Sequence, residues 1–168
     1  MGSVNSLMLK ILRTIDTSPI IECFNRLDAD IQWSDFGFKG KQAGLQHKPG
    51  EDPWTSAVGR SSGHELESTE LNPFFNGTIF EELINEFELT KTRLMWVGPY
   101  ACYSMHKDET PRVHIPLITN LDCYFVFKYT GLKHLAPGFA YWVDTRHTHT
   151  FMNCSDKWRL HLIGAVKT

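Results

Sequence analysis

Apolar residues gather in short runs, broken by polar turn residues, through most of the second half of the chain. The runs RLMWVGPYACYSMH, RVHIPLITN, CYFVFKY, FAYWVDTRHTHTF and WRLHLIGAVK are short, rich in β-branched and aromatic residues, and divided by Gly, Pro and Asn turns. That texture predicts the antiparallel strands of a sandwich or barrel, since such side chains fit a pleated, half-buried surface. The first half reads differently. Leu7, Leu9, Ile11, Leu12 and Ile15, then Ile20, Ile21, Phe24 and Leu27, predict two short amphipathic helices separated by Thr17-Ser18-Pro19, with Ser18 as the N-cap. Thr78-Ile-Phe-Glu81 has capping-box spacing and opens a further helix through FEELINEF. From Gly37 to Gly63 the chain is rich in Gly, Lys, Gln, Ser and Pro, which predicts a long loop region with room for brief strands. Loops of that length in a compact domain usually carry function.

These elements predict a mainly β fold with flanking helices: a jelly-roll, cupin-like barrel buttressed by N-terminal helices. With 168 residues the chain has material for one core, so a single domain over 1–168 is expected. Residues 1–90 would supply helical support and a substrate loop, and residues 91–168 the barrel core. A net charge of -2 leaves no basic excess for a nucleic acid or an anionic membrane surface, and neither is an expected partner. The oligomeric state is left open. Cys23, Cys102, Cys123 and Cys154 are too scattered for a zinc site or a disulfide framework; they read as small core residues and fit a reducing cytoplasm. No apolar run approaches the length of a membrane span, so a soluble protein is expected. MGSVNS matches the loose N-myristoylation pattern, and Asn76-Gly-Thr and Asn153-Cys-Ser match sequons, but patterns this short arise easily by chance.

The chemistry concentrates between residues 102 and 117, CYSMHKDETPRVHIPL, where His106, Asp108, Arg112 and His114 crowd beside the apolar Val113, Ile115 and Leu117. Polar groups against a core are costly unless paired or bound. In a strand, residues i and i+2 point the same way, so His106 and Asp108 would share a face. A third ligand is available from His147 or His149, also two apart. Two neutral imidazoles and a carboxylate make the facial triad that holds Fe(II) and leaves the opposite positions open. In WRLHL, Arg159 and His161 share one face and Leu160 and Leu162 the other, so a guanidinium points where a merely packed barrel would carry an apolar residue. A buried guanidinium demands an anion.

HKDETPRVHIPLITN followed by YWVDTRHTHTFMNCSDKWRLHLIG resembles the aspartyl/asparaginyl β-hydroxylase group of Fe(II)- and 2-oxoglutarate-dependent oxygenases, over roughly residues 93–164. The resemblance implies a double-stranded β-helix. It implies iron ligation by His106, Asp108 and His149, the H-x3-N and H-x9-R gaps selecting His149 over His147. Arg112 and His114 resemble an R-x-H pair that helps hold 2-oxoglutarate, and Arg159, ten residues past His149, resembles the arginine that grips its far carboxylate. Some members of the group bind iron with two histidines alone, whereas this chain has Asp108. The implied reaction consumes O2 and 2-oxoglutarate, releases succinate and CO2, and hydroxylates a small-molecule amino acid or an aspartyl, asparaginyl or prolyl residue of a peptide or protein substrate.

Other residues read more plainly. Tyr103 and Ser104 stand just ahead of the triad, where contact with the cosubstrate is possible. Asn153 suits either a partner of the His149 loop or a turn, and His47 and His64 read as solvated. Lys41, Gln42, Gln46 and Trp54 lie in the segment expected to cover the barrel mouth, with Gln42, Gln46 and Trp54 the substrate-binding candidates. Two other classes stay open: a cupin-type metal enzyme that uses no 2-oxoglutarate, and a non-catalytic barrel that binds a ligand.

Overall fold

The short apolar-rich runs become strands of two facing sheets, as seen in a computed structural model that describes residues 8–59 and 64–167. The elements in chain order are β1 (Leu9–Thr14), α1 (Ser18–Leu27), β2 (Ser34–Asp35), β3 (Gly40–Gly44), β4 (Gln46–His47), β5 (Glu70–Leu71), α2 (Ile79–Glu86), β6 (Thr90–Val97), β7 (Arg112–Ile118), β8 (Cys123–Phe127), β9 (Gly131–Lys133), β10 (Phe139–Val143), β11 (His149–Asn153) and β12 (Arg159–Ala165). A seven-stranded sheet runs β1-β10-β7-β12-β6-β3-β2 and a three-stranded one β11-β8-β9, with β4-β5 as a short hairpin pair. Every pairing is antiparallel. This is the mainly β, jelly-roll architecture of the cupin kind.

The strand period of two sorts the core into two layers. Leu94 on β6, Val113, Ile115 and Leu117 on β7, and Leu160 and Leu162 on β12 face outward, where they pack against Ile20 and Phe24 of α1 and Phe80, Leu83 and Ile84 of α2. Met95, Val97 and Ile163, one position out of step, face the small sheet and meet Phe125, Phe127 and Phe151. The helices therefore cover one side of the large sheet and leave its other side to the barrel interior. Pro116, in the middle of β7, has no N–H to give the ladder, and the β7–β12 register shifts beside it.

The sequence reading is corrected at several points. The segment expected as a first helix is the edge strand β1, paired with β10; Leu7 lies outside the described residues, as does MGSVNS. In α1 the N-cap is Thr17, and Ser18 begins the helix with its N–H on Asp16 Oδ1. The half expected as helical support also supplies β1, β2 and β3 of the large sheet, β3 being one of the brief strands for which the loop region is expected to have room. At α2, Glu81 reaches back to the Gly77 N–H at 2.7 Å, one residue short of the expected cap, while the Thr78 hydroxyl donates to Phe75 O. Among the described residues no helix is long and apolar enough to cross a membrane.

Candidate functional site

One opening of the barrel exposes a cavity of about 250 Å3 whose walls include Arg93, Met95, Tyr103, Arg112, His114 and Phe125. His106, Asp108 and His149 stand in this wall, with one ligand atom from each lying within 4.8 Å of the others. His106 and Asp108 converge by a different route from the one expected of a strand. His106 lies outside the ladders, joined to His149 by a single antiparallel bridge in which each N–H donates to the other's carbonyl at 2.9 Å. Asp108 is fixed by its own N–H, which donates to Thr145 O at 2.9 Å.

Both imidazoles are held in the same sense. Nδ1 of His106 lies 2.8 Å from Ser104 O, and Nδ1 of His149 lies 2.8 Å from His147 O. A carbonyl only accepts, so each Nδ1 carries the proton and each Nε2 presents a lone pair, the tautomer that metal-bound histidines adopt. His149 stacks on Phe125 with ring centroids 5.0 Å apart, and its burial lowers its pKa, favouring the neutral ring. Nε2 of His106 is 3.9 Å from Asp108 Oδ1, and Nε2 of His149 is 3.6 Å from Oδ2. Two neutral nitrogens and one carboxylate fit a divalent first-row ion.

Asp108 is in turn braced. Nε of Arg112 donates to its Oδ2 at 2.8 Å, and Nη2 of the same arginine donates to Glu65 Oε1. Glu65 also receives Lys91 Nζ at 3.2 Å and the Thr110 hydroxyl at 2.7 Å. Burial alone would raise the Asp108 carboxyl, but the charge and hydrogen bond of Arg112 outweigh it and hold the group ionised below its ordinary range.

Deeper in the barrel the polar groups lack counterions. Arg159 is 3% exposed; its Nε and Nη2 face the His161 ring nitrogens at 2.9 and 2.7 Å, its guanidinium lies 5.1 Å from the Phe151 ring, and its Nη1 has no partner. Burial pushes Arg159 down to about 10, still charged at neutral pH. Both ring nitrogens of the buried His114 are unpartnered as well. Burial first, then the charge of Arg159, pushes His114 and His161 well below their ordinary values, so both are neutral. Such groups cost free energy unless something pairs with them.

The structure brings most of the expected site residues into one neighbourhood. Gln42 lines the same cavity, as do Tyr103 and Ser104. Gln46 does not: its amide is consumed by the backbone, accepting from Thr92 N at 3.2 Å and donating to Leu89 O at 2.9 Å. Trp54 does not either, because its ring packs on Phe74 and Phe75. His47, expected in solvent, is buried, while His64 is exposed. Asn153 is a turn-former: its Nδ2 donates to Lys157 O and Gly98 O and its Oδ1 accepts from Ser155 N. Of the cysteines, Cys23 and Cys123 are buried as expected and Cys102 and Cys154 are exposed.

Two residues of the site had escaped notice. Glu65 sits in the polar stretch and meets Arg112 only through the fold. Arg93 carried a readable signal, a charge sharing its strand face with Met95 and Val97.

No family model matches the chain, and no curated protein does. Solved structures do. An oxidoreductase of the 2OG-Fe(II) oxygenase family from Burkholderia pseudomallei matches 94% of this chain and 83% of its own, with 14% identity and a TM-score of 0.59. The DMSP lyase DddQ from Ruegeria pomeroyi DSS-3 matches 98% of this chain and 70% of its own, with 13% identity and a TM-score of 0.51. At these identities the likeness is one of fold.

Proposed function

We propose that this chain is an Fe(II)- and 2-oxoglutarate-dependent hydroxylase similar to the aspartyl/asparaginyl β-hydroxylase group, acting on an amino acid or on an aspartyl, asparaginyl or prolyl residue. The observation that carries this reading is a His106–Asp108–His149 cluster in the same barrel as a buried arginine, Arg159, that has no anionic partner. A metal alone explains the cluster; only an anion explains the arginine.

When bound, iron supplies the activation of O2, coupled to oxidative decarboxylation of 2-oxoglutarate to succinate and CO2. The chain's residues do the rest. His106 and His149 offer Nε2 because their Nδ1 protons are committed to backbone carbonyls. Arg112 keeps Asp108 ionised and oriented, so its part is bracing; with two of its nitrogens engaged on carboxylates, only Nη1 is left for the cosubstrate. Arg159 offers the far carboxylate a permanent charge and its unpartnered Nη1, its Nε and Nη2 being turned to His161. Neutral His114 offers a hydrogen bond to the same ligand without adding charge. Phe125, Phe151 and Ile163 wall the cavity with apolar surface, which limits water and strengthens each charged contact.

The test is a screen of free amino acids and short peptides for substrate-stimulated succinate release after anaerobic iron loading. Iron-dependent succinate that disappears in a folded His106→Ala variant supports the proposal; activity retained in that variant overturns it. A metal enzyme that ignores 2-oxoglutarate would release no succinate and would be insensitive to Arg159.

A further inference from the structure

Arg93 projects from β6 into the cavity that holds the metal cluster, and nothing in the cosubstrate reading employs it. It is 9% exposed, its Nε has no partner, and its Nη1 donates only to a neutral carbonyl, Ala57 O, at 3.3 Å. Among the described residues no carboxylate lies within ion-pair distance of it. Asp108 and Glu65 are close enough to favour its charge, but both are already bound by Arg112. Gly44 stands opposite Arg93 on β3 and Ile163 on β12, so neither pairs a polar side chain with it.

The register separates Arg93 from Arg159. On β6 and β12 the paired positions run Arg93–Ile163, Met95–His161 and Val97–Arg159, so the two arginines occupy opposite ends of one interior face. Four residue steps along each strand separate them, about 13 Å. Arg93 stands at the end that carries Asp108 and Arg112, beside Tyr103 and Gln42. The Gln42 carbonyl is taken by the Gly59 N–H at 3.1 Å, so its NH2 is the end turned toward the Tyr103 hydroxyl. The charges do not balance without a further ligand: Lys91, Arg93 and Arg112 gather about Glu65 and Asp108, and Arg159 has no carboxylate partner among the described residues. A divalent ion and a dicarboxylate cosubstrate cancel each other and leave that excess untouched.

We infer that Arg93, assisted by Gln42, binds a carboxylate of the compound to be hydroxylated, and so selects substrates that carry one at a fixed distance from the oxidised carbon. The inference rests on the oxygenase reading for the word substrate; the presence of a second anion subsite does not. An α-carboxylate of a free amino acid and an acidic side chain in a peptide present the same chemistry.

The test is equilibrium binding to the protein loaded with Mn(II) and 2-oxoglutarate, followed by calorimetry. One arm uses the twenty free L-amino acids and the primary amide of each one that binds. The other uses tripeptides blocked at both ends with Asp or Glu at the centre, each beside its Asn or Gln counterpart. The expected result is a carboxylate compound that binds about tenfold or more tightly than its amide, a preference lost in Arg93→Gln and partly kept in Arg93→Lys. The affinity for 2-oxoglutarate alone stays within about twofold in Arg93→Gln and falls in Arg159→Gln. Equal binding of carboxylate and amide by the unmodified protein overturns the inference, as does no binding by any carboxylate in either arm, or an equal loss of 2-oxoglutarate affinity in the two arginine variants. The unmodified protein decides the point even if Arg93→Gln fails to fold. Absence of iron-dependent succinate with the carboxylate preference intact would refute the oxygenase reading and leave the subsite standing.

Discussion

Nε of Arg112 donates to Oδ2 of Asp108 at 2.8 Å, across four positions of chain that include the turn before β7. The same guanidinium is held from behind by Glu65, 47 positions earlier in the chain. A carboxylate whose second oxygen is occupied by an arginine can turn only its remaining lone pairs toward a metal. The orientation of Asp108 is therefore set by a chain of charged contacts that begins in the polar first half.

Glu65 makes this chain sensitive to acid. Burial raises its pKa, but the charges of Arg112 and Lys91 and the Thr110 hydroxyl outweigh that and hold it below its ordinary value. A carboxyl depressed in the folded state stabilises the fold fully above its unfolded pKa, and that contribution is lost as pH falls through the folded value. Glu65→Gln is expected to lower stability at neutral pH by about 3–5 kcal/mol, since it strands buried cations, and to flatten the acid limb of a denaturation series. Equal acid limbs in the two proteins would remove Glu65 from this role.

Arg159→Lys is not a mild change. Lysine keeps the charge but cannot both hold His161 through two nitrogens and extend a third to the ligand, so the apparent KM for 2-oxoglutarate is expected to rise by about tenfold or more, with kcat less affected. Steady-state succinate assays check it, and an unchanged KM would take Arg159 out of cosubstrate binding.

Gln46→Leu separates structure from site. It leaves the Thr92 N–H and the Leu89 carbonyl without their partner, at an expected cost of about 2–4 kcal/mol in denaturant titration. The KM values for 2-oxoglutarate and substrate should stay as they are, because the side chain faces away from the metal cavity.

Gly40→Ala tests the seam between β3 and β6. Gly40 has φ +139°, and a methyl group there would overlap the Trp96 carbonyl oxygen. Backbone cannot retreat as a side chain can, so a loss of about 3 kcal/mol or more is expected, read as a lowered Tm.

What local sequence revealed and what it hid follow from the range of the interactions. The strands β6, β7, β8, β10, β11 and β12 announce themselves because each gathers apolar, β-branched or aromatic residues within its own five to eight positions, between turns. β1 does not: Leu9, Lys10, Ile11, Leu12 and Arg13 carry no clean period, its side chains are mostly exposed, and it is a strand because β10 lies alongside, about 130 positions away. That His106, Asp108 and His149 lie together is anticipated from the residues around them, since the spacing of the three alone is common. Gln42 and Gln46 are indistinguishable as letters, yet one meets the cavity and the other the backbone of β6, since β3 ends between them. Glu65 gave no sign because its partners come from Lys91, Thr110 and Arg112.

The main-chain bridge between His106 and His149 has a kinetic meaning. The two imidazoles are tethered to one another by amide–carbonyl pairs that need no ion, so their spacing exists beforehand. Deuterium uptake at those two amides should be slow in chelator-treated protein, and metal capture should be paced by shedding water from the cation rather than by loop closure.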